Sequence, residues 1–314
     1  MVEEHLGTRK LIKFGTNSHV ISIPKNWLET NKLKKGDELF VKMKPNEISF
    51  LVKESTNPRK IERINCDKIN VWSMETKIIS SYKANYDTII FEGKELQKYA
   101  KEIKNILQRL PGIEIIEQSS NKIIAKDLID INQITVSSMI NRMDMLARSM
   151  FQDLVKDNPV KQLILKERDK ELNRLNYLLT RTLRMAIETP IIASKLKTST
   201  LEAYHVEKIN WVLEKIGDYL KRIAGDIQRA KKDEKMIVLN LKDVYQKYLG
   251  TMKAYYKKDK ETAVNIESRI RQSLKQITKL VISAEENNQM LAYENLKNIL
   301  RDLKVINRST IELN

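Results

Sequence analysis

In the stretch VEKINWVLEKIGDYLKRIAGDI three carboxylates, Glu207, Glu214 and Asp218, are separated by seven and four residues, which places them on one face of a helix. Glu214 and Asp218 are like charges at i,i+4, a spacing that costs an isolated helix about 0.2–0.5 kcal/mol. Two arrangements would offset that cost. A bound divalent cation takes such hard oxygen ligands, or Asp218 pairs with Arg222 one turn on. In LKERDKELNRLNYLLTR, Asp169 and Asn173 repeat the four-residue spacing, with Glu167 and Glu171 alongside. No histidine, nucleophile or glycine-rich loop accompanies these carboxylates, which argues against metal-assisted hydrolysis at Glu214, Asp218 and Asp169, and the chain reads as a non-enzyme.

The rest of the composition narrows the chemistry further. Cys66 is the only cysteine, so no internal disulfide and no paired-cysteine zinc site can form, and His5, His19 and His205 are far apart. Lysine and arginine number 57 against 41 acids, a formal charge of +16, which either favours a polyanionic partner such as nucleic acid or an anionic membrane surface, or serves solubility. No apolar run approaches the ~20 residues of a spanning helix. The opening MVEEHLGTRK has acids where a signal peptide would be basic and then apolar, so the expectation is a cytoplasmic protein that is not integral to a membrane.

The elements that must position these residues fall into two styles. Five of the 8 glycines and four of the 6 prolines precede residue 126, so turns belong to the first two fifths and long helices to the remainder. KLIKF, VISI, ELFVKM and EISFLV read as strands, the last two joined by a turn at KPNE, and PKNWLETNK reads as a short helix. KESTNPRK, Lys53 to Lys60, reads as a linker. YDTIIFEG then reads as a strand, Lys94 to Leu110 as an amphipathic helix closed by Pro111-Gly112, and IEIIEQSSNKIIAKDL as a hairpin turning at Ser119 to Asn121.

Beyond Asp130, apolar residues recur at three and four, first in ITVSSMINRMDMLARSMFQDLV and then onward from Leu163, Leu201, Leu239, Asp259 and Met290. Six helices fit, in two sets of three. The breaks between them fall at Asn158-Pro159, at Glu188-Thr189-Pro190 into SKLKTST, and at RAKKDEK, YYKKDKE and EENNQ. Ile209, Leu213, Ile216, Leu220, Ile223 and Ile227 form the core stripe of the helix that carries Glu214 and Asp218, and Met139, Met143, Met145 and Met150 stand at helical spacing as packing residues.

RKLIKFGTNSHVISIPKNWLETNKLKKGDELFVK, with Gly15 and Ser18 before a strand, Ile23-Pro24-Lys25 opening a helix and Leu33 with Gly36-Asp37 before the next strand, resembles the AbrB/MazE (SpoVT-AbrB) family of swapped-hairpin DNA-binding dimers. The resemblance implies a homodimer that binds double-stranded DNA, with Arg9, Lys10, Lys13 and Lys25 as the DNA-facing cations by motif position. LEKIGDYLKRIAGDI resembles the third helix of a PhoU-type three-helix repeat, its E-x-x-x-D signature falling on Glu214 and Asp218. LKERDKELNRLNYLLTR resembles the second helix, particularly of the archaeal branch.

That likeness implies divalent, iron or zinc ions held in repeat one by Glu214, Asp218, Asp169 and Asn173. Asn173 stands where the family has aspartate, and the second triplet has Arg271 four residues after Glu267, so repeat two reads as structural. The expected fold is therefore α+β and multidomain. An AbrB-like unit spans 8–53, a linker and connecting helix 54–85, a small β-α-β-β segment 86–130, and a PhoU-like bundle 132–314 with repeats at 132–230 and 237–314. The expected function is a transcriptional regulator of phosphate uptake. The alternative is an accessory protein docking on a phosphate transporter or signalling protein, with its N-terminal unit used only to dimerise.

Overall fold

The structure, a computed structural model of the 314-residue chain, describes residues 7–52, 60–156, 162–229, 234–285 and 287–313. The chain divides into two compact units, Met1–Pro58 and Arg59–Asn314. In the first, β1 (Ile12–Phe14) and β2 (Ser18–Val20) form an antiparallel hairpin with Lys13 opposite His19. Gly15 in its turn has φ +69° with nothing near the position of a Cβ, so glycine is required there for conformation, not for space. β2 stops at Val20 instead of running through VISI, because its partner is only three residues long and Pro24 has no amide for a ladder.

Helix α1 (Lys25–Thr30) follows with Pro24 at its N-cap, and β3 (Leu39–Lys44) and β4 (Glu47–Val52) pair around a two-residue turn at Pro45-Asn46. Each hairpin is a two-stranded sheet on its own. No residue described in this unit is buried.

The second unit begins with a mixed sheet. Strands β5 (Ile61–Asn65), β6 (Thr88–Glu92), β7 (Ile113–Gln118) and β8 (Lys122–Asp127) lie in the order β5-β6-β8-β7, with β5 parallel to β6 and the other pairs antiparallel. Helices α2 (Val71–Lys83) and α3 (Leu96–Leu107) pack on each other and share one core with the sheet. The expected division into a connecting segment 54–85 and a β-α-β-β segment 86–130 is thereby corrected, since β5 and α2 belong to the same layer as the rest. IERIN gave little signal because only Ile64 is buried; its strand character comes from non-local pairing with β6, reinforced by an Arg63–Glu92 ion pair of 2.8 Å. Residues 53–59 of the expected linker lie outside the described residues.

Six long helices follow: α4 (Val136–Val155), α5 (Gln162–Glu188), α7 (Thr200–Arg229), α8 (Glu234–Lys257), α9 (Lys260–Ser283) and α10 (Asn287–Glu312). The short α6 (Pro190–Lys195) occupies what reads in sequence as a break, because Pro190 is well placed in the first turn of a helix. α8 and α10 start earlier than expected, at Glu234 and Asn287; in α10 the first residues, Asn287 to Gln289, are polar and carry no apolar period. The YYKKDKE break falls at Lys258, with φ +53°, and Asp259, whose side chain caps the Thr262 amide at 2.9 Å. The breaks at Asn158-Pro159 and in the middle of RAKKDEK lie outside the described residues.

Packing repeats along the chain. α5 lies on α7 and α9 on α10; α4 covers the first pair and α8 the second; the halves meet where α7 packs on α10 and α4 on α8, over one apolar core. Among the described residues no helix is long and apolar enough to cross a membrane.

Candidate functional site

α7 buries Ile209, Leu213, Ile216, Leu220, Ile223 and Ile227, which fixes the direction in which its carboxylates point. Gly217, inside the signature, brings α5 close: a Cβ there would stand 2.4 Å from Leu172 Cδ1. Asp169 on α5 and Asp218 on α7 thereby face one another across a third residue, Lys221. Its ammonium donates to Asp169 Oδ2 and to Asp218 Oδ1, both at 2.6 Å.

Burial disfavours the charged Lys221 ammonium, but its hydrogen bonds to Asp169 and Asp218 and their charges together hold its pKa above the usual lysine value. Asp169 is 6% exposed, and burial raises its carboxyl above the ordinary range, with Lys221 offsetting only part of the rise. Its Oδ1 has no hydrogen-bond partner among the described residues. Glu214 is also raised, by burial first and then by the charges of Asp218 and Asp169.

The remaining acids are engaged elsewhere. Arg222 reaches Asp218 Oδ2 at 3.4 Å, as the helical spacing suggested, whereas the closer Lys221 contact was not read from the sequence. The Asn173 amide donates to the backbone carbonyl of Asp169 at 2.9 Å. Glu167 pairs with Lys170 at 2.7 Å, and Glu171 with Arg142 at 3.3 Å. Glu207 accepts from Thr180 Oγ1 at 2.7 Å and from Asn210 Nδ2 at 3.1 Å.

A divalent ion does not fit this set as it stands. The space between the two aspartates holds an ammonium, and no group of three His, Cys, Asp or Glu side chains among the described residues could hold a metal. What the arrangement provides is a partly buried lysine bridge between α5 and α7, beside two carboxyls biased towards their protonated forms.

The α/β layer covers this face. Arg181 of α5, 3% exposed, donates to the carbonyls of Tyr82 at 2.8 Å and Tyr86 at 3.3 Å and pairs with Asp127. Lys83 of α2 stands 4.8 Å from the centre of the Tyr177 ring. Burial lowers the Lys83 pKa, opposed by the charges of Glu207 and Glu214. Repeat one therefore presents acids, and α2 meets them with a cation.

In the first unit the expected DNA-facing residues are all exposed. Arg9 and Lys10 lead into β1, where Lys13 alternates with Ile12 and Phe14 and so points to the opposite face of the hairpin. Lys25 opens α1, with its amine 3.5 Å from Glu29, an exposed pair of little energetic consequence. Ile12, Phe14, Met43 and Ile48 are 57%, 68%, 75% and 62% exposed, so both hairpins also present large apolar side chains. That signal was present in the sequence as strands too short to enclose a core. Comparison with known proteins adds no relative: no protein-family model, no curated protein and no solved structure matches the chain.

Proposed function

We propose that the protein is a homodimeric, DNA-binding transcriptional regulator of phosphate uptake that works in the cytoplasm. The observation that carries the proposal is that no described residue of the first unit is buried, with Phe14, Met43 and Ile48 more than half exposed. Two-stranded hairpins of this size are marginal alone, and a second copy supplies the missing core at no cost in new sequence. Interlaced hairpins are what the AbrB/MazE resemblance implies. A two-fold pair duplicates Arg9, Lys10, Lys13 and Lys25, and phosphate contacts by such cations dominate affinity for duplex DNA. The phosphate part of the reading rests on the likeness of the α5 and α7 segments to PhoU-type repeats.

The test is to incubate the full chain with fragmented genomic DNA from its source, at a salt concentration that screens charges beyond about 8 Å, and to sequence what is retained. Enrichment near phosphate-transport genes, lost in Lys13→Glu with Lys25→Glu, is the expected result. Uniform or absent retention would overturn it and leave the first unit a dimeriser of an accessory protein.

A further inference from the structure

The two helical repeats correspond in the spacing of their buried positions. Leu172 and Leu179 of α5 correspond to Ile270 and Ile277 of α9, and Leu213, Ile216, Leu220 and Ile223 of α7 to Leu296, Ile299, Leu303 and Ile306 of α10, with equal spacings and all buried. The correspondence has an independent check. It places Glu267 on Asp169 and Lys304 on Lys221, and these two also approach each other, at 3.8 Å.

The same correspondence reverses the charge of the neighbouring face. Glu214 and Asp218 become Lys297 and Arg301, while Tyr177 and Arg181, the residues met by α2, become Lys275 and Lys279. In repeat one, α2 packs on α5 at that position, meeting Tyr177 through Lys83 and Arg181 through Tyr82. In repeat two the position is an open groove of about 430 Å³ lined by Leu274, Lys275, Thr278, Lys279, Lys297 and Arg301. Lys275, Lys279 and Arg301 are exposed, and Lys297 is held by Glu294 one turn before it. Ile282, 80% exposed, follows Lys275 by seven residues, and Met290, 38% exposed, precedes Lys297 by seven, so apolar surface flanks the cations on the same helix faces.

We infer that the α9–α10 groove is a docking site for an amphipathic helix of a partner protein that carries acidic side chains, seated as α2 is seated on repeat one. Shape comes from the internal correspondence, since the matching face already accepts a helix. Charge fixes the occupant: α2 brings Lys83 to an acidic face, and the basic face calls for acids in the same places. A second copy's own α2 would set Lys77 and Lys83 against Lys275 and Lys279, and a chain of net charge +16 gains nothing by that contact. A nucleic-acid backbone would match the cations but leave Ile282 and Met290 unused.

The test uses the full chain and a labelled, helix-stabilised peptide of residues 69–85 carrying Lys77→Glu and Lys83→Glu, followed by fluorescence anisotropy. Saturable binding is expected, weakened at least about tenfold, or ~1.4 kcal/mol, by Lys275→Glu with Arg301→Glu. Lys253→Glu on α8 is expected to leave it unchanged, and the unaltered peptide to bind far more weakly. Equal binding by all variants, an equal loss from Lys253→Glu, or equal binding of the unaltered peptide would overturn the inference. So would loss of duplex-DNA binding, but not of peptide binding, in the α9–α10 variant. Lys253, Lys275 and Arg301, the residues altered in the full chain, are exposed, so an unchanged melting curve verifies that each variant is folded.

Discussion

Replacing Lys221 with methionine tests whether the carboxylate cluster is a lysine bridge. The substitution keeps most of the side chain's length and removes its charge, leaving Asp169, Asp218 and Glu214 without the ammonium. Breaking a fully buried ion pair costs about 3–5 kcal/mol. Here the side chains of Lys221, Asp169 and Asp218 are 24%, 9% and 29% exposed, and Asp218 keeps Arg222. A smaller loss of about 2–3 kcal/mol follows, which in a unit of this size lowers Tm by about 5–10 °C.

The pH dependence carries the sign. Asp169 already has a raised folded pKa, so it binds protons more tightly folded than unfolded, and its contribution to stability falls as pH rises through the folded pKa. Without Lys221 that pKa rises further. The deficit of Lys221→Met should therefore be largest at neutral pH and shrink as the pH is lowered towards the carboxylate range, and adding Asp169→Asn should restore at least half of it. Lys221 itself, with a raised folded pKa, supports the wild type throughout and releases its contribution only above the ordinary lysine range. Thermal unfolding of the single and double variants at two pH values decides the matter. An unchanged Tm, or a loss that is equal at both pH values and not relieved by Asp169→Asn, would refute the argument. Excess divalent cation should leave the wild-type Tm unchanged, and stabilisation of the wild type would place a metal among the carboxylates.

Phe14→Asp with Met43→Asp should lower the mass seen by light scattering, because both residues are solvent-exposed unless a second chain covers them; an unchanged mass would put the dimer contact elsewhere. Arg181→Met should cost about 3 kcal/mol in urea unfolding, since it strands the half-buried Asp127, whose carboxyl burial already raises, and it should speed hydrogen exchange in residues 60–127. Exchange like that of the wild type would mean that Arg181 does not hold the layer to α5. Burial, then the nearby Asp67, raises the Cys66 pKa, so alkylation should be slow in the folded chain and fast in denaturant. Fast labelling of the folded chain would contradict the packing of β5 and the turn after it.

Much of the fold was legible because the helices carry it. The α7 stripe from Ile209 to Ile227 shows a clean helical period, and the hairpin from Ile113 to Asp127 turns where Ser119 to Asn121 interrupt the strands. β5 was not legible: its partner is more than twenty residues away, and its charged residues are stabilised by pairs such as Arg63–Glu92 that no local pattern displays. The site divided in the same way. Spacing put Glu214 and Asp218 on one face and foresaw Arg222. Asp169 meeting Lys221 depends on how closely α5 approaches α7, a distance set by Gly217 and Leu172 and visible only once the helices are packed.

The internal repeat separates scaffold from specialisation. One acid from the second helix and one lysine from the third recur in both halves, as Asp169 with Lys221 and as Glu267 with Lys304. The residues around that pair do not recur: Glu214 and Asp218 face Lys297 and Arg301 across the correspondence. A metal ligand set would have to include Asp169, yet Asp169 belongs to the shared pair, which holds the same place in a half whose neighbouring residues are basic. The lysine bridge is therefore part of how this bundle packs. The neighbouring surfaces are where the halves differ, one meeting its cationic cover within the chain and the other presenting cations to an acidic helix from outside it.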